Sequence, residues 1–167
     1  MSDIDTEVKN RPPEERIALL MRGRGFTLAA AESCTGGLIL HRLTNVPGSS
    51  EYVMGGFVVY SNQVKVKYAH VSEDTLQQHG AVSEQTAIEM ARGTRQAFGT
   101  TLAVSVTGIA GPGGGTETKP VGLTYIGIST PEGEQVMRYV WEGSREANKT
   151  QSAEAAMRLI LDYLVGR

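Results

Sequence analysis

Apolar and polar positions recur along this chain in two rhythms, and their order predicts alternating helices and strands. Pro12 and Pro13 suit a helix start, and Glu14 and Glu15 complement the positive end of that helix. Ile17, Leu19, Leu20 and Met21 supply its apolar surface before Gly23 and Gly25 stop it. Thr27 to Ala31 is a short apolar run between glycine and Glu32-Ser33, which predicts a buried strand. Leu38 to Leu43 reads as a helix that ends ahead of Asn45, Pro47 and Gly48. Phe57 to Tyr60, aromatic and β-branched after Gly55-Gly56, predicts a second buried strand. Val64 to Lys67 fits a helical turn and an alternating strand equally, because four residues are too few to fix a period.

In the second half, Ser83 is a good N-cap, and Ala87, Met90, Ala91, Thr94 and Phe98 follow helical spacing behind it. Leu102 to Val106 predicts a third buried strand, running into Thr107 and the glycine-rich stretch Gly108 to Gly115. Gly122 to Ser129 and Gln135 to Trp141 predict an antiparallel hairpin, with Thr130 to Gly133 as its turn. Ala153, Ala156, Met157, Ile160, Leu161 and Leu164 form one stripe on a long helix beginning near Ser144. Helical crossovers early and a hairpin late predict a three-layer α/β/α sandwich with a mixed, roughly five-stranded sheet and at least four helices. The organisation expected is a flexible leader over residues 1–11 and one domain over residues 12–167, without linker or repeat.

Composition narrows the function classes. A chain of 167 residues is one domain in size and buries roughly two thirds of its unfolded surface. Sixteen Lys plus Arg against eighteen Asp plus Glu give a net charge of -2, with no basic surplus to neutralise a nucleic-acid backbone. Cys34, the single cysteine, makes no intrachain disulfide, and no charged segment followed by an apolar one opens the chain. Its apolar runs are too short to span a bilayer, so a cytoplasmic protein without membrane contact is expected. The unusual feature is 20 glycines gathered into a few clusters, where backbone turns tightly or approaches a ligand.

Two clusters stand where open α/β sheets bind ligands, beyond the carboxyl ends of strands. Ala31 to Gly37 places Ser33 at a strand-to-helix turn, as a nucleophile candidate or, as the local sequence alone favours, a helix cap shared with Thr35. Cys34 reads as a small packing residue. Val106 to Gly115 lacks the Gly-Lys-Ser/Thr ending of a Walker A loop, and suits an anion-binding nest and a surface turn equally. His41, His70 and His79 are too scattered for a metal site, although a serine-histidine triad stays open. A lysine in a dry pocket also activates serine, and Lys65, Lys67, Lys119 and Lys149 are candidates as well as ordinary surface lysines.

Five motifs in order, AAAESCTGG (Ala29 to Gly37), GGFVVYSNQVK (Gly55 to Lys65), GAVSE (Gly80 to Glu84), VTGIAGPGGG (Val106 to Gly115) and KPVGLTYIGI (Lys119 to Ile128), resemble the CinA C-terminal domain family. The resemblance runs from about Glu14 to Val165. It implies a nicotinamide-nucleotide amidase, which hydrolyses nicotinamide mononucleotide to nicotinate mononucleotide and ammonia in pyridine nucleotide recycling. It also implies a three-layer sandwich, catalysis without metal or other cofactor, and a homo-oligomer, expected as a dimer. By the same resemblance Ser33 is the nucleophile, Lys65 its base, and the Tyr60 hydroxyl a proton relay or an orienting group. Thr35, Gly36, Gly37, Thr107, Gly108, Ala110, Gly111 and Arg145 are implied to bind substrate, with Gly36 or Gly37 N–H groups at the oxyanion. The family usually shows Gly-Asp-Arg and a later Arg where this chain has Gly143-Ser144-Arg145 and Lys149, and lysine lacks the bidentate fork. A non-catalytic nucleotide-binding module and a competence-related factor are the rival expectations.

Overall fold

The computed structural model describes residues 10–166, so the expected leader falls almost wholly outside it. In chain order the elements are α1 (Pro13–Arg24), β1 (Leu28–Glu32), α2 (Leu38–Thr44), β2 (Val53–Val58), α3 (Asn62–Ala69), α4 (Glu73–His79), α5 (Glu84–Phe98), β3 (Leu102–Gly108), β4 (Leu123–Thr130), β5 (Gly133–Val140) and α6 (Arg145–Val165). The sheet runs β2-β1-β3-β4-β5. β1 is parallel to β2 and β3, and β4 is antiparallel to β3 and β5. Helices α1, α2 and α6 cover one face, while α5, with α3 and α4 against it, covers the other. This is the expected three-layer α/β/α sandwich with a mixed sheet.

Central β1 is buried at every position because both faces are covered. Leu28 and Ala30 join the core under α1 and α6, and Ala31 joins the smaller one with Val59, Ala69, Val71 and Met90. Its alanines fit a crowded layer. In neighbouring β2, a Cβ on Gly56 would lie 2.2 Å from the Ala30 carbonyl oxygen. Gly55 and Gly56 sit inside β2, which starts at Val53, earlier than the sequence pattern predicts, and ends before Tyr60. Asn62–Ala69 is helical, capped by the Ser61 hydroxyl on the Val64 N–H, which resolves the ambiguous four-residue stretch. Helix α4 escaped prediction because it buries no side chain and so writes no apolar stripe.

Candidate active site

Ser33 is the first residue past β1, held on the sheet by its N–H to the Val106 carbonyl at 2.9 Å. Across the cleft, α3 begins just after Tyr60 and delivers Lys65 from its first turns. The Lys65 Nζ lies 2.9 Å from Ser33 Oγ, 2.7 Å from the Val59 carbonyl and 3.1 Å from the Tyr60 carbonyl. Lys65 is 1% exposed and Ser33 7%. Burial strips water from the ammonium and lowers its pKa to about 8. No carboxylate forms an ion pair with Lys65 among the described residues. A neutral amine has two N–H bonds and one lone pair. The two carbonyls take the N–H bonds, which turns the lone pair toward the Ser33 hydroxyl and suits it to accept that proton.

Ser33 does not cap α2. That helix has Gly37 at its N-cap, and its N–H groups are met by the buried carboxylate of Glu32. Gly36 donates to the Ser33 carbonyl and Gly37 to Glu32, so the expected oxyanion role of these two N–H groups does not fit. Tyr60 touches Lys65 through its carbonyl rather than its hydroxyl, which instead accepts from Arg145 Nη2 at 3.2 Å. Arg145 also donates to the Gly111 carbonyl at 2.8 Å, and so ties the glycine loop to Tyr60. Thr107 donates to the Ala81 carbonyl.

Two cavities meet at Arg145. A small one of about 160 Å³ is lined by Ser33, Tyr60, Lys65, Thr107, Gly108 and Ala110 among others. A larger one of about 570 Å³ carries Thr35, Gly36, Gly37, His41 and Lys149. Thr35 is buried, and its hydroxyl has no hydrogen-bond partner among the described residues. The structure thus gathers Ser33, Lys65, Tyr60 and the expected binding residues around one double cavity, except Gly111, which lines neither part and meets it only through its carbonyl on Arg145. Elsewhere lie Lys67, over the Tyr68 ring, and Lys119, on the His79 carbonyl. His41, His70 and His79 are exposed, and the Ser33 hydroxyl pairs with Lys65 rather than with a histidine. Cys34 is buried, its thiol pushed up to about 11 by desolvation, which leaves little thiolate at neutral pH. Among the described residues no group of His, Cys, Asp or Glu is arranged to hold a metal, and no helix is long and apolar enough to cross a membrane.

Sequence reasoning missed Glu32 and Asn148. Buried Asn148 donates to the Ala110 and Gly143 carbonyls, anchoring the glycine loop to α6. Its signal was a polar residue on the apolar side of α6. For Glu32 the signal was a charged residue closing a run of alanines in a strand buried on both faces.

The CinA C-terminal domain profile matches residues 10–164. A CinA-like protein of Chloroherpeton thalassium is 51% identical over 157 residues, covering 92% of this chain and 37% of that protein. Another CinA-like protein, from Chlorobaculum tepidum, is 50% identical over 153 residues, covering 89% of this chain and 36% of that protein. The chain thus spans little more than a third of the length of these curated relatives. Among solved structures, the competence/damage inducible protein CihA from Agrobacterium tumefaciens superposes with a TM-score of 0.85 at 38% identity, covering 90% of this chain and 92% of that one. A competence or damage-inducible protein from Enterobacter asburiae gives a TM-score of 0.89 at 26% identity, covering 93% and 99%.

Proposed function

Starting from the premise that the chain belongs to the CinA C-terminal domain family, we propose that it is a nicotinamide-nucleotide amidase working through Ser33 and Lys65. The single observation that supports this reading most is the buried Lys65 Nζ, 2.9 Å from Ser33 Oγ with two carbonyls on its other side. Neutral Lys65 takes the Ser33 proton as Oγ attacks the carboxamide carbon of nicotinamide mononucleotide. The tetrahedral intermediate then collapses, the C–N bond breaks, and the proton on Lys65 passes to the leaving nitrogen, which departs as ammonia. Water, deprotonated by the same amine, attacks the ester on Ser33; the acyl C–Oγ bond breaks, the proton on Lys65 returns to Ser33 Oγ, and nicotinate mononucleotide is released. The Cys34 and Thr35 N–H groups, which have no backbone acceptor among the described residues, are the remaining oxyanion donors of this turn.

The small cavity is close to the size of an aromatic amide, so the ribose phosphate is assigned to the larger one. There Arg145 and Lys149 supply the positive charge that a phosphate requires. The reading keeps the homodimer and the cytoplasmic setting as parts of the proposal, to be measured by sedimentation and by fractionation of cells.

The test is ammonia release from nicotinamide mononucleotide by the pure protein. Turnover is expected from the wild type, with Ser33→Ala inactive yet still binding nucleotide in calorimetry. Binding without turnover in the wild type would turn the account toward a nucleotide-binding module.

A further inference from the structure

Glu32 ends β1 with a carboxylate that is fully buried. Among the described residues it forms no ion pair. Its partners are three backbone N–H groups of the next helix: Gly37 and Ile39 donate to Oε2 at 3.0 Å each, and Leu40 to Oε1 at 2.9 Å. A buried carboxylate is tolerated only when its oxygens are satisfied, and the positive end of α2 does this without a counterion. The reason for so unusual a cap lies in the turn. Gly36 and Gly37 have φ of 63° and 101°, and Gly37 at the N-cap has no side chain to accept these donors.

The same residue reaches both partners of the dyad. Its side chain holds the far end of the turn that carries Ser33. Its carbonyl accepts from the Val59 N–H at 2.8 Å. Val59 in turn offers its own carbonyl to Lys65 Nζ. Glu32 therefore ties the nucleophile's turn and the base's anchor to one point at the end of β1. It also fills the N-terminus of α2 with a protein carboxylate, which closes that end to a substrate anion.

We propose that Glu32 is a positioning residue, which fixes Ser33 against Lys65 by holding the α2 N-terminus, and leaves anion recognition to Arg145 and Lys149. This rests on the Ser33-Lys65 reading above. Glu32→Gln has the same size, but its amide turns N–H bonds toward a backbone N–H, so one donor of α2 loses its acceptor. A loosened turn misplaces the hydroxyl, and small misplacements cost up to about a hundredfold in rate.

The experiment measures covalent labelling of Ser33 by a fluorophosphonate, a probe that needs an activated serine and no nucleotide site, beside ammonia release and melting temperature. For Glu32→Gln we expect labelling and kcat to fall by at least about tenfold, with KM within about twofold and the pH midpoint of labelling unchanged. Glu32→Asp, whose shorter side chain cannot span the same three donors, is expected to lose rate likewise, and serves where Glu32→Gln does not fold. A folded variant labelling at the wild-type rate would overturn the role of Glu32 and leave the dyad standing. Wild-type protein that resists labelling would overturn the dyad and this inference with it. Failure of both variants to fold would reduce Glu32 to a purely structural residue and overturn its positioning role.

Discussion

In the proposed mechanism Lys65 is the base, and its surroundings are poor in the charges that usually keep a lysine protonated. Its three polar neighbours are two carbonyls and a hydroxyl, and burial alone brings its pKa to about 8. Lys67, two residues on, is exposed and keeps water, which is why the four candidate lysines could not be told apart by local pattern. The family resemblance singled out Lys65, and the geometry gives the physical reason. Arg145 is the second decisive residue, since it borders both cavities and its guanidinium is held by Tyr60 and Gly111. Arg145→Ala is expected to raise KM for nicotinamide mononucleotide by about tenfold or more, and KM for the dephosphorylated riboside far less. Equal increases for both substrates, measured by ammonia release, would assign Arg145 to loop structure instead.

At the scale of elements, the placement of Lys65 depends on how closely α3 lies on α5. A Cβ on Gly93 of α5 would stand 2.0 Å from the Ala69 carbonyl oxygen at the end of α3. Gly93→Ala must therefore push α3 outward, with an expected loss of about 1–3 kcal/mol in stability. Because α3 carries Lys65, the proposed base, kcat is expected to fall by about tenfold or more as well. Gly23→Ala in α1 meets nothing within 4 Å, so it should gain about 0.5–1 kcal/mol from helix propensity and keep its activity. Urea unfolding and ammonia release on the two variants check both halves; a Gly93→Ala enzyme as stable and active as wild type would refute the tight packing. Elements with a strong apolar period, such as α5 and α6, were legible in the sequence. The bounds of β2 were not, because the glycines that read as a break are there to admit close neighbours, Gly56 the Ala30 carbonyl and Gly55 the Phe98 ring.

For the whole molecule, the burial that suits Lys65 to its proposed role works against folding. The ordinary lysine value is 10.5 and the folded value about 8, so the unfolded chain holds the proton more tightly over that window. Below about pH 8 the folded state carries a buried charge at a cost of about 3 kcal/mol, and this cost disappears as pH rises to about 10.5. The difference in unfolding free energy between Lys65→Met and wild type should accordingly favour the variant most below about pH 8 and shrink across that window. A difference independent of pH, from urea unfolding at several pH values, would mean that Lys65 is solvated. The layered fold was legible because every layer rests on apolar stripes and strand runs. The double cavity was not, for it is made by segments far apart in the chain: Ser33, Lys65, Thr107 and Arg145 meet only in the folded structure.

The central claim is that neutral Lys65 activates Ser33, and the pH dependence of kcat/KM for ammonia release from nicotinamide mononucleotide tests it most directly. Wild-type kcat/KM is expected to rise with pH through about 8 as Lys65 loses its proton. Lys65→Arg, which stays charged, should be slower by at least about a hundredfold across the range, while Lys67→Arg keeps the wild-type profile. A Lys65→Arg enzyme that kept both its rate and that rising limb would contradict the account.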